Sequence, residues 1–295
     1  CVWKLKKIIK KQKPLIIHSH LFYSSLVSRL SCPRDIPLIY SLHNEMSKNV
    51  FNNSRILTIL EKKTIKKNHS VMAVSKNVLK DYENTFGEMN NSYVIENFIL
   101  DKFFTGSSAK DSTVSEKLKL IAVGNIKNQK NYGYIVNVFE NLKNFEISLD
   151  IYGEGNDTDF KKLKATIEEK NLPIFLKGAT NSIDKILPDY DLYVSCSSYE
   201  GFGISVIEAM ASGLPLLLSD LPVYHEVTMD NALFFDVENP MSLVTLIKEV
   251  FDAKFNFKKL SLNGIEISKK YTKEIYLDKL LSIYDNKLKD SAQKM

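Results

Sequence analysis

The sequence predicts an α/β protein made of two doubly wound, parallel-sheet domains. Three observations carry that prediction: a length of 295 residues, an ordinary globular composition, and an alternation of short apolar runs with helical-period segments that lapses once and restarts. The length suits two domains of ordinary size better than one. With 44% hydrophobic and 25% charged residues the chain is globular rather than disordered. Strand-like runs alternating with helix-like stretches are the pattern of βα units around a parallel sheet.

In the first series, strands are expected at residues 15–18, 37–42, 70–74 and 93–95. Helical patterns fall at 22–30, 56–67 and 77–85, the last preceded by Ser75 as an N-cap. The opening residues 2–9 read as the end of a helix. Over residues 105–115 the pattern gives way to Gly, Ser, Thr and Asp, the composition of a linker. The second series predicts strands at 118–123, 147–152, 174–177, 192–195, 215–219 and 232–235. Its helices fit 132–142, 160–169, 205–211, 240–252 and 273–288. The expected division is therefore a first domain at 1–110, a second at 111–272 and a terminal helix at 273–295. A doubly wound domain ordinarily opens with a strand and a Gly-rich turn. Neither is present, so the first domain reads as incomplete and the chain as starting inside it.

Composition excludes several classes. No apolar run approaches the roughly 20 residues that span a bilayer. Residues 1–13 hold six lysines with no apolar core behind them, which is not a secretory signal. Three scattered cysteines, Cys1, Cys32 and Cys196, give neither a disulfide framework nor a zinc pattern. A reducing cytoplasm is the expected compartment. The net charge of +5 divides unevenly: residues 1–110 carry 18 Lys+Arg against 8 Asp+Glu, the remainder 22 against 27. A basic first half is drawn to an anionic surface, lipid or nucleic acid, or is a solvated lysine-rich face. The lysines have no aromatic stacking platform among them, which sets nucleic acid aside.

Chemistry concentrates between Asp191 and Asp220. The strand Leu192-Tyr193-Val194-Ser195 runs into a polar loop ending in Tyr199-Glu200, then Gly201-Phe202-Gly203. A helical pattern from Ile204 follows and stops at Gly213-Leu214-Pro215. This puts a Gly-containing turn at the carboxyl edge of a parallel sheet, where a helix begins. Free N–H groups and the positive end of a helix dipole suit a phosphate or a sugar hydroxyl there. Glu208 interrupts the apolar run Val206, Ile207, Ala209, Met210, so it is expected at a buried helix–sheet junction, where a carboxylate needs hydroxyl donors such as those of a ribose. Glu200 is expected to face the space above the turn.

This block resembles the retaining glycosyltransferases of family 4, the "glycosyl transferases group 1" domain of the GT-B fold. Their signature is two glutamates in an E-G-F-G-x-x-x-x-E stretch followed by A-M-A-x-G-x-P. It is matched here by Glu200, Gly201, Phe202, Gly203, Glu208, Ala209, Met210, Ala211, Gly213 and Pro215. Residues Gly124, Asn125, Lys127 and Lys130 resemble the family's glycine turn and diphosphate-binding basic pair, with Asn125 standing where many members carry arginine. Gly153 and Gly178 resemble strand ends that line the nucleotide cleft.

The resemblance implies a GT-B-like protein: two Rossmann-like domains facing a cleft, with the last helix returning to the first. It implies transfer of a sugar from a nucleoside diphosphate donor, UDP- or GDP-linked, to a hydroxyl acceptor with retention. His43 and Glu200 would be catalytic. Gly124, Asn125, Lys127, Lys130, Gly153, Gly178, Gly201, Phe202, Gly203, Ile204, Ser205 and Glu208 would bind the donor, and no metal or cofactor is expected. His20 would line the acceptor side or pack. A lipid-linked or saccharide acceptor and peripheral attachment to the inner face of the plasma membrane complete the expectation, in capsule, lipopolysaccharide or related surface-polymer synthesis. The alternatives are a GT-B-type nucleotide-sugar epimerase or hydrolase and a non-catalytic nucleotide-sugar-binding remnant.

Overall fold

The structure is a computed structural model that describes residues 1–51, 54–66, 68–89, 91–104, 109–110 and 117–292. The chain forms two compact units, one of Cys1–Phe98 together with the last helix, Lys273–Ala292, and one of Ile99–Thr272.

The first unit opens with α1 (Val2–Gln12) and alternates thereafter: β1 (Ile17–His20), α2 (Phe22–Ser31), β2 (Leu38–Leu42), α3 (Arg55–Thr64), β3 (His69–Ala73), α4 (Lys76–Phe86) and β4 (Ser92–Val94). The four strands form a parallel sheet in the order β1-β2-β3-β4. β2 and β3 are buried along their whole length, as strands covered on both faces must be. Ser54 and Ser75 cap α3 and α4, accepting from Leu57 N–H at 3.3 Å and Val78 N–H at 3.1 Å. β1 lies two residues further along than the apolar run at 15–17 suggests. Ile17 N–H makes the first ladder bond, to Pro37 O at 2.9 Å, while Leu15 is left exposed. The strand thus ends in polar His-Ser-His. The last helix closes this core, with Ile283 packed among Ile39, Met72 and Ile95.

The second unit holds β5 (Leu118–Val123), α5 (Tyr132–Glu140), β6 (Ile147–Tyr152), α6 (Asp157–Glu169), β7 (Ile174–Gly178), α7 (Ile183–Ile186), β8 (Leu192–Ser195), α8 (Ile204–Ala211), β9 (Leu216–Ser219), α9 (Pro222–Thr228), β10 (Leu233–Phe235), α10 (Pro240–Phe251) and α11 (Phe257–Ser268). Its six parallel strands run β10-β9-β8-β5-β6-β7. The chain winds outward from β5 through β6 to β7, then crosses back to β8 beside β5. That reversal makes the carboxyl ends of β5 and β8 the switch point, where open α/β sheets bind ligands.

The units divide at Phe98–Ile99 rather than at residue 110 because the backbone past Ile99 is already fastened to the second unit. Ile99 N–H donates to Tyr271 O at 2.9 Å, and Lys102, in a 3-10 turn over Asp101–Phe103, pairs with Asp184 at 2.8 Å. Of the linker expected at 105–115, only Ala109 and Lys110 are among the described residues, and Lys67 of the expected second helix is also outside them. Lys110 is anchored through its N–H to Ser261 Oγ at 3.1 Å and its ammonium to Pro188 O at 2.5 Å.

Candidate functional site at the switch point of the second sheet

Three strand ends are fused into one rim. Gly124 N–H donates to Tyr152 O at 2.8 Å, and Gly153 N–H donates to Gly178 O at 3.0 Å. A methyl group on Gly153 would lie 2.1 Å from Gly124 O, so the β5 and β6 loops meet backbone to backbone and admit no side chain. Past Gly124 the chain makes a 3-10 turn, Asn128–Lys130, that folds the Lys130 side chain back across Gly124. Its ammonium donates to Glu200 Oε1 at 2.7 Å.

Glu200 is held from the β8 side. The Ser197 hydroxyl donates to the same Oε1 at 3.1 Å. Gln129 ties the two loops together, its amide donating to Tyr199 O at 3.0 Å and its carbonyl accepting from Ser198 N–H at 2.9 Å. Glu200 is therefore only 8% exposed and does not stand free above the turn as the sequence suggests. The loop closes over it because Gly203 takes φ 84°, and a side chain there would also meet the Tyr224 ring at 2.9 Å. α8 begins immediately after, with Ile204 exposed and the Ser205 hydroxyl 2.9 Å from Tyr193 OH. The Phe202 ring is buried edge-on against Tyr271, so this residue offers a ligand its main chain, not its ring.

Glu208, in the second turn of α8, is half-buried where the sequence suggests full burial. Burial still raises its carboxyl from the ordinary 4.5 to about 7; the Lys102 ammonium opposes that rise and the Asp184 carboxylate adds to it. Lys102 is a residue that sequence reasoning missed, because a lone lysine ahead of two phenylalanines carries no pattern. Ser197 was missed too, although its place three residues before Glu200 in a serine-rich loop was a usable signal.

The structure brings Gly124, Lys130, Gly153, Gly178 and Glu200 into one rim, and Gly201 and Gly203 lie in the loop that leads from Glu200 to α8. It does not bring Lys127 to the rim: that side chain is exposed and lines a groove between α5 and α6 with Lys162 and Lys170. Asn125 is exposed at the turn. Two Asp-x-Asp strings are spent on the scaffold: Asp159 N–H is capped by Asn156 at the start of α6, and Asp191 accepts from Lys119 N–H at 2.7 Å. Among the described residues, no three His, Cys, Asp or Glu side chains converge to hold a metal ion.

His43 belongs to the first unit, one residue beyond β2. Its Nε2 lies 3.1 Å from His20 Nδ1, and desolvation first, then His20, holds its pKa below the ordinary value.

Two parallel-sheet α/β units, the second with its glycine rim and Lys–Glu pair at the switch point, define a protein of the GT-B fold. Residues 106–270 match the model of the family described as glycosyl transferases group 1, and residues 1–101 match that of glycosyltransferase family 4. The chain belongs to the glycosyl transferases group 1 family. It is 32% identical over 212 residues to a poly(ribitol-phosphate) alpha-N-acetylglucosaminyltransferase of Staphylococcus aureus, covering 66% of this chain and 41% of that protein. It is 28% identical over 216 residues to a poly(glycerol-phosphate) alpha-glucosyltransferase of Bacillus subtilis, covering 71% of this chain and 31% of that one. The chain thus spans less than half the length of either relative. Its fold matches the crystal structure of Anabaena Alr3699/HepE in complex with UDP at a TM-score of 0.84 and 16% identity, over 97% of this chain and 82% of that chain.

Proposed function

We propose that this chain transfers a sugar from a nucleoside diphosphate donor, UDP- or GDP-linked, to a hydroxyl acceptor, with retention and without a metal ion. The observation that carries the reading is the Lys130–Glu200 pair, 2.7 Å apart, laid across a glycine rim at the sheet's switch point. In the reaction the bond from the anomeric carbon to the diphosphate oxygen breaks, and a bond to the acceptor oxygen forms on the same face. The acceptor's proton leaves with the diphosphate. Negative charge grows on the departing diphosphate, so preorganised donors aimed at it lower the barrier. Lys130 supplies one, and the N–H groups of Ile204 and Ser205 at the start of α8 supply others. Glu200 would accept from a hydroxyl of the donor sugar, Glu208 from the ribose, and His43 would face the reacting sugar.

The acceptor is proposed to be a lipid-linked or saccharide hydroxyl in cell-surface polymer synthesis, a reading supported by the polyol-phosphate polymers named for the two bacterial relatives. Thermal shift with UDP-, GDP- and ADP-sugars tests donor binding, and anomeric assignment of the product by NMR tests retention. UDP-sugars, the first probes, are expected to stabilise the chain. Free sugar formed without an acceptor would replace the reading with a hydrolase. A 2-epimer would replace it with an epimerase, and binding without turnover would leave a nucleotide-sugar-binding remnant.

Attachment to the cytoplasmic face of an anionic membrane is proposed from the first unit. There α1 and Lys13, which follows it, set Lys6, Lys10 and Lys13 along an apolar groove, beside an exposed Trp3. No helix among the described residues is long and apolar enough to cross a membrane. Co-sedimentation with vesicles should rise with phosphatidylglycerol content; indifference to it would end this part of the reading.

A further inference from the structure

The first unit carries a row of rings that the function above uses only at one end. Tyr284 OH sits 2.5 Å from His18 Nδ1, and His18 Nε2 sits 2.8 Å from Ser41 Oγ. The His18 ring lies 4.4 Å from that of His20, centroid to centroid, and His20 reaches His43 through its Nδ1. His18 and His20 share a face of β1 because strand residues two apart point the same way. Parallel pairing puts His20 opposite Ser41, two residues short of His43.

The backbone at His20 is unusually constrained. Leu21, which follows it, holds φ 67° and ψ 157°, a region that residues other than glycine enter only when their surroundings force it. The surroundings do so: Ser25 N–H and its hydroxyl donate to Leu21 O at 3.1 and 2.7 Å, and the Ser24 hydroxyl donates to His20 O. The strand-to-helix turn is thereby pinned on both sides of the peptide that sets the direction of the His20 side chain.

We propose that His20 is a positioning residue for His43. Its Nδ1 holds His43 Nε2, fixing the ring's orientation and tying its tautomer to that of His20, and leaves Nδ1 of His43 as the nitrogen that meets substrate. Among the described residues, His43 Nδ1 has no protein partner. The imidazole bond needs one nitrogen with a proton and one without, so it selects a matched pair of neutral tautomers. Burial favours those neutral forms in both rings. His18, locked between Tyr284 and Ser41, backs the His20 ring and keeps it from swinging away. The inference rests on the catalytic reading of His43, and its first measurement does not.

That measurement is long-range 1H–15N NMR of the imidazoles in the full chain, which has five histidines in all. At neutral pH His43 should show one protonated and one bare nitrogen. In His20→Ala its two nitrogens should move toward the averaged shifts of exchanging tautomers, while His69 signals stay in place and report an intact first unit. His20→Asn, whose side-chain amide overlies Nδ1, should restore the single tautomer. In transfer assays His20→Ala should lower kcat roughly 10- to 100-fold with donor KM within about twofold, and His20→Asn should recover most of the loss. An unchanged His43 spectrum in His20→Ala would overturn the proposal whether or not the chain transfers sugar. A changed spectrum with unchanged kcat would overturn the role in catalysis.

Discussion

Glu200 and Glu208 come from one stretch of sequence and end in opposite electrostatic situations. Glu200 is the more buried, and Lys130 and Ser197 both donate to it. Glu208 is less buried, yet its carboxyl is pushed up to about 7. Partners, not depth, decide whether a buried carboxylate stays ionised. Glu200 is a charge already provided for within the second unit. Glu208 has room for a hydroxyl donor, and such a ligand would favour its ionised form.

Removing the provision for Glu200 should have the largest effect. Lys130→Met takes the counter-charge from a carboxylate in a closed loop and leaves it the Ser197 hydroxyl alone, so turnover should fall by roughly 10²- to 10³-fold. Stability measured by urea titration should fall by about 1.5–3 kcal/mol. If Lys130→Met is as active as the parent, the contrast with Glu208 is empty. Next, Glu208→Gln should weaken UDP or UDP-sugar binding by roughly tenfold in calorimetry while sparing turnover at saturating donor.

The third test is a pH series, in which the raised pKa fixes the sign. The folded chain keeps a proton on Glu208 that the unfolded chain gives up, so this group's contribution to stability is complete below pH 4.5 and is lost as pH rises through about 7. A ribose that donates to the carboxylate prefers the ionised form. Nucleotide affinity should therefore rise up to about tenfold per pH unit between pH 5.5 and about 7 and then level off. Glu208→Gln should flatten the profile; a rise that persists in that variant assigns the titration elsewhere. The smallest effect is expected from Ser197→Ala, which removes one of two donors to Glu200 and should cost about 1 kcal/mol of stability and a few-fold in kcat.

Much of this arrangement was legible in the sequence, for physical reasons that also mark where reading stopped. All ten strands among the described residues were anticipated, because buried parallel strands are runs of apolar residues whatever surrounds them. α9 was not, since seven residues give no measurable helical period. α11 was hidden by Gly264, a poor helix former that is there because a side chain would strike Met210 of α8 at 2.8 Å. The glutamates were found, but their burial was inverted. Apolar neighbours along α8 advertise Glu208, whereas the cover over Glu200 comes from a loop 70 residues earlier in the chain. No local pattern joins His18 to Tyr284, 266 residues away.

That last distance has a consequence for biosynthesis. The second unit is a continuous stretch of chain, while the first is written in two pieces that bracket it. On the ribosome, the six-stranded unit can close as soon as Thr272 has emerged. The four-stranded one must wait, its Ile39 and Met72 uncovered, until Ile283 and Tyr284 have been made as well. A chain terminated after Thr272 would thus keep the six-stranded unit and deprive the histidine row of its anchor.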